Sequence, residues 1–213
     1  LRAEFIAKNY LDNPRLINNV RGIQGYTGAF HGTPVSVMAS GMGMPSMGIY
    51  SYELFSFFGV DNIIRIGSAG SIQKEIKLRD IVMGMGACTN SAYAGQYKLP
   101  GSFSAIADYT LLKTAIKAAE DTGASYHVGN LLSSDTFYSD DDKEEERWAK
   151  LGVMAIEMEA AALYMNAARL QKRALAICTI SDNLITGERV STIERQESFT
   201  QMMEIALKTA ELM

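Results

Sequence analysis

Short apolar runs, each breaking into a glycine or polar cluster and then a helical period, recur along the chain, and this alternation most constrains what it can fold into. Tyr26 to Phe30 and Val35 to Ala39 flank His31-Gly32 and read as a hairpin. Gly41-Met42-Gly43-Met44-Pro45-Ser46 then turns into a helix bearing Ile49, Tyr52, Phe55 and Phe58. Asn62 to Gly70, Asp80 to Cys88, Tyr126 to Leu132 and Arg173 to Thr179 read as further strands. Asp108 starts a helix with Leu111, Leu112, Ala115, Ile116 and Ala119 on one face, closed by Gly123. Glu144 to Leu151 and Thr192 to Met213 are also helical in pattern. Residues 3 to 11 carry Phe5, Ile6, Tyr10 and Leu11 at helical spacing, with Pro14 ending the helix and Arg2 at its N-terminus. With no repeat or linker, residues 1 to 213 read as one α/β domain with helices on both faces of a central sheet.

Ligands of such sheets gather at the strand carboxyl ends. Gly41, Arg65 to Ser68, Phe137, Glu157 to Glu159 and Ser181-Asp182 all fall there. The 41–46 turn lacks the glycine spacing of a dinucleotide fingerprint and the lysine of a P-loop, so it is either a structural turn or a ligand approach. An arginine inside an apolar strand, Arg65, requires an anion or a carboxylate. Both partners remain open at this point. From Met154 to Tyr164 a strand-like run meets Glu157 and Glu159, then an alanine-rich helical pattern. At a strand end the two glutamates share one side and Met158 takes the other; at a helix start they would favour the macrodipole. Phe137-Tyr138, two aromatics in polar sequence, are either a stacking platform or surface packing. Arg195, in the first turn of the last helix, opposes the dipole and calls for an anion, with Asp182 a candidate.

Composition excludes several classes. With 213 residues, 47% hydrophobic and 21% charged, the chain can bury a sizeable core. A net charge of -4 and a pI near 5.3 supply no basic field for nucleic acid or an anionic membrane. The acidic run Asp140 to Glu146, broken by Lys143, reads as a solvated loop entering a helix. Cys88 and Cys178 lie in apolar strand-like runs, which suggests reduced thiols and a cytoplasmic location. No apolar run approaches the roughly 18 to 20 residues of a membrane span. The chain opens on Leu1-Arg2 without methionine, so a preceding segment is expected to have been lost or left out.

The runs N-N-V-R-G, G-M-G-M-P-S, I-I-R-I-G-S-A-G, L-R-D-I-V, E-M-E-A-A, C-T-I-S-D and E-R-Q, in this order, resemble the hexameric, bacterial-type purine nucleoside phosphorylases of the nucleoside phosphorylase superfamily. E-M-E-A is shared across the superfamily; the arginine of I-I-R-I-G-S, N-N-V-R-G and S-D followed by E-R-Q are narrower. The resemblance implies a three-layer sandwich with a mixed central sheet, and phosphorolysis of purine nucleosides with inorganic phosphate as co-substrate and no cofactor or metal. By the same resemblance Arg2, Arg65 and Ser68, with Ile66 and Gly67, hold phosphate. Arg21 reaches in from a neighbouring subunit of a homohexamer built as a trimer of dimers. Glu159 accepts from the ribose hydroxyls, Met42 and Met158 wall the sugar, Phe137 stacks near the base, and Ser181 and Glu157 border it. Asp182 is the general acid toward purine N7, positioned by Arg195. An aspartate can act so near neutrality only where its surroundings favour the protonated form.

Two departures stand out. The glycine and histidine that the family's N-terminal segment brings are absent, and neither His31 nor His127 is placed to substitute. Asn183 stands beside the acid where the family most often has histidine. A hydrolytic methylthioadenosine-type nucleosidase would not need Arg65 or Arg21, a uridine phosphorylase would need a pyrimidine-reading site, and a non-catalytic nucleoside-binding protein would not need Asp182 and Arg195.

Overall fold

The computed structural model describes residues 2–191 and 199–213. Two sheets and six α-helices are found among them. Helix α1 (Arg2–Tyr10) leads into an antiparallel three-stranded sheet of β1 (Asp12–Asn18), β2 (Gly25–Phe30) and β3 (Thr33–Met38). The β2–β3 hairpin turns at His31-Gly32, as its sequence predicts, with both residues at positive φ. Strand β1 departs from expectation. Pro14 does not merely end the helix but lies inside an edge strand, a position where a missing N–H costs nothing.

The larger sheet contains β4 (Asn62–Ser71), β5 (Ile81–Thr89), β6 (Ala105–Ile106), β7 (Tyr126–Ser133), β8 (Ala155–Glu157) and β9 (Arg173–Asn183), in the order β6-β5-β7-β8-β4-β9. It is mixed: β4–β9, β5–β7 and β7–β8 are parallel, while β4–β8 and β5–β6 are antiparallel. The sheet also curls until β9 meets β5, with Val82 opposite Cys178, closing a ring of five strands. Tyr164 pins this closure: its hydroxyl donates to the Gly84 carbonyl at 2.5 Å and accepts from the Ala176 amide at 2.9 Å.

Period-two alternation along β9 feeds two cores. Ala174, Ala176, Cys178 and Ile180 pack with α2 (Met44–Phe57) and α5 (Ala160–Arg169). Leu175 and Ile177 pack with α1, α3 (Tyr109–Thr122) and α6 (Thr200–Glu211). Helices therefore cover both faces of the mixed sheet. Glu144–Lys150 forms α4, a short surface helix. The expected helical start at 192 falls outside the described residues, and the helix is seen over Thr200–Glu211. No helix among the described residues is long and apolar enough to cross a membrane.

Candidate functional site

Strand β8 ends at Glu157 and α5 begins at Ala160 with Glu159 as its N-cap residue, so the two glutamates straddle a strand-to-helix junction. Glu157 accepts from the amides of Glu159 at 2.9 Å and Ala160 at 3.0 Å, and from the Ser133 hydroxyl at the end of β7. Ser133 Oγ in turn accepts from the Ala161 amide at 2.9 Å. These bonds satisfy N-terminal donors of α5 that would otherwise be orphaned. The sequence left open a strand end or a helix cap; Glu157 is both.

Arg65 crosses to this junction from β4. Its Nη2 contacts Glu159 Oε2 and lies 3.3 Å from Glu157 Oε2, while Nη1 donates to Cys178 Sγ at 3.3 Å. The guanidinium folds over Gly67, where a Cβ would sit 2.4 Å from Nη1 and 2.7 Å from Cζ. Burial opposes the Arg65 charge, but Glu157, Cys178 and Glu159 outweigh it and hold the group protonated. Conversely burial pushes the Cys178 thiol up to about 12. Burial also raises the Glu157 carboxyl above the usual range, against the pull of Arg65.

Arg2, in the first turn of α1, points Nη1 at the Ile66 carbonyl at 3.4 Å. Burial and the adjacent Arg65 guanidinium press its pKa below the ordinary value. Two largely enclosed guanidinium groups beside Ile66, Gly67 and the half-buried Ser68 form a site whose chemistry suits an oxyanion.

On the other side of Glu159, Oε1 accepts from the Gly43 amide at 2.6 Å. Gly43, at φ 87° and just before α2, is the N-cap of that helix, so the glycine turn of the sequence does converge on the cluster. Sequence reasoning did not assign Gly43 a contact, nor did it find Cys178 or Ser133. Only Gly43's place beside Met42 in a glycine turn gave a signal.

Asp182 sits at the end of β9, where Ser181 Oγ donates to its Oδ1 at 2.5 Å. Gly70 of β4 leaves room beside it: a Cβ there would be 3.0 Å from Asp182 Oδ2. Its backbone bridges to Arg189, and the Val190 amide bonds the Ser181 carbonyl at 2.9 Å, so the strand end and its following loop are tied together. Asn183 is buried and spends its side chain internally, donating to the Gln73 and Ile76 carbonyls and accepting from the Ile185 and Thr186 amides, all at 3.0 Å.

Met42 and Phe137 are exposed, at 84% and 71%, and Phe137 meets Tyr138 edge-on. Met158 is half-buried between the two glutamates. Arg21 is exposed in a turn at φ 56°, outside the cluster in this single chain. Arg195 lies outside the described residues. A cleft of about 410 Å³ near Tyr52, Tyr93 and Arg169 contains no member of the cluster, which is occupied by its own ion pairs.

Residues 1–212 match the family model described as the phosphorylase superfamily. The chain is 53% identical, over 210 residues, to the purine nucleoside phosphorylase DeoD-type of Hahella chejuensis, covering 99% of this chain and 89% of that protein. It is 49% identical over 212 residues to the protein of the same name from Clostridium novyi, covering 99% and 91%. The namesake from Tolumonas auensis is 49% identical over 207 residues, covering 97% and 88%.

Proposed function

Because this chain belongs to the phosphorylase superfamily, we propose that it catalyses the reversible phosphorolysis of purine ribo- and deoxyribonucleosides, giving the free base and the pentose 1-phosphate. The observation that carries this reading is the cluster in which Arg65, beside Arg2, lies against Glu159. It joins an anion site to a carboxylate able to accept from sugar hydroxyls. A nucleosidase that used water would have no role for two enclosed arginines.

Phosphate binds to Arg2, Arg65 and Ser68 along the Ile66–Gly67 backbone, with Arg21 supplied by a neighbouring subunit of a homohexamer. A phosphate oxygen forms the new bond to C1′ as the bond from C1′ to N9 breaks, its electron pair leaving with the purine. Positive charge developing on the sugar is stabilised between the phosphate and Glu159, whose carboxylate takes the 2′- and 3′-hydroxyl hydrogens. Met42 and Met158 wall the sugar, and Phe137 covers the base. Asp182, held by Ser181 and aided by Arg195, gives a proton to N7, so the base leaves uncharged. The reaction needs no cofactor, and a cytoplasmic enzyme of purine salvage fits it.

Incubating the protein with inosine or adenosine, with and without phosphate, tests the reading. Free base and ribose 1-phosphate should appear only with phosphate. Base release at the same rate without phosphate overturns phosphorolysis in favour of hydrolysis.

A further inference from the structure

The resemblance sets Glu157 beside the base and the reaction above uses no atom of it, yet its carboxylate is fully enclosed in the cluster. Its side chain is 0% exposed, against 7% for Glu159 and 10% for Arg65. Ser133 Oγ and the Glu159 and Ala160 amides fix it in place, and Arg65 Nη2 stands 3.3 Å away. These bonds have two consequences. Through the Glu159 amide and the first turn of α5, Glu157 fixes the backbone that carries the ribose-binding carboxylate. Through its charge it acts on Arg65 at 3.3 Å, a separation too short to admit a water between them.

An anion entering the site therefore meets an arginine whose field is already offset. Holding phosphate as tightly as two uncompensated guanidinium groups would allow stabilises the ground state, which does not speed the chemical step. We infer that Glu157 is a positioning residue that attenuates Arg65 and so sets phosphate affinity below what the two arginines alone would give, while orienting Glu159 for the sugar. This inference rests on the proposed assignment of Arg2 and Arg65 to phosphate.

The test is Glu157→Gln, which keeps the shape and an acceptor for the α5 amides but removes the charge. Inorganic phosphate is titrated into the protein calorimetrically without nucleoside, and kcat and KM are then measured for both substrates. Phosphate should bind about tenfold more tightly, roughly 1.4 kcal/mol, with no matching gain in nucleoside KM. Unchanged or weaker phosphate binding overturns the inference and leaves Glu157 as an internal cap. Glu159→Gln, which removes the other carboxylate on the same guanidinium, provides a second route should the first variant not fold. In the same nucleoside-free titration it should also tighten phosphate binding, and failure to do so counts against the attenuation. Arg65→Gln separates the two readings. Loss of phosphate binding upholds the anion site whatever Glu157 does, whereas retained binding places phosphate elsewhere and removes both.

Discussion

At the scale of single residues, Gly67 shows how the site depends on an absent side chain. Arg65 lies over its Cα, pinned at its far end by Glu157, Glu159 and Cys178, so it cannot yield cheaply to a new methyl group. Gly67→Ala should displace the guanidinium and lower kcat/KM for phosphate by about 10²-fold, the usual cost of a misplaced binding group. Steady-state kinetics at varied phosphate, beside a thermal melt, checks this; unchanged phosphate kinetics would mean Arg65 can work from another position. The need for a partner to Arg65 was legible in the sequence, because an arginine in an apolar strand is costly alone. Which partner was not. The glutamates lie more than ninety residues downstream, and only the fold shows both beside it. The structure answers with carboxylates, and the anion is the partner proposed above for the same guanidinium.

At the scale of elements, legibility followed local chemistry. Helix α3 was readable at both ends: Asp108 accepts from the Leu111 amide at 2.9 Å, and Gly123 takes the left-handed φ of 67° that ends the helix. Asp108→Ala should cost about 1 kcal/mol, a fall in Tm of about 2–4 °C for a chain of this size, without changing KM. A calorimetric scan alongside the assay separates this loss from damage to the site. Strand β1 was not readable, because six of its seven residues are exposed and no inside-outside alternation exists to be seen. Strand β6 is two residues long, below what any periodicity can signal. The junction of β8 and α5 gave mixed signals for a physical reason. A carboxylate at a strand end and one capping a helix have the same sequence pattern when the strand runs directly into the helix.

At the scale of the whole molecule, what the sequence hides is closure. β5 and β9 lie far apart in the chain, Ile81 pairing with Thr179, and their pairing bends into a ring the sheet in which β4, flanked by β8 and β9, carries the cluster. No local pattern encodes such a pairing; it follows from burying Ala176 and Cys178 on one face and Leu175 and Ile177 on the other. The same scale governs Arg21, exposed on its turn and outside the cluster of its own chain. If a neighbouring subunit supplies it, each site of a two-fold pair combines Arg65 of one copy with Arg21 of the other. Arg21→Ala and Arg65→Ala proteins should each be nearly inactive alone. In a mixed pair, one site then has both arginines and the other has neither. Random reassembly of equal amounts should therefore restore about a quarter of wild-type activity, since half the pairs are mixed and half of their sites are intact. Co-refolding the two variants and assaying phosphorolysis measures this directly. Activity no greater than the sum of the separate variants would show that Arg21 acts within its own chain or not at the site, and the shared architecture would have to be abandoned.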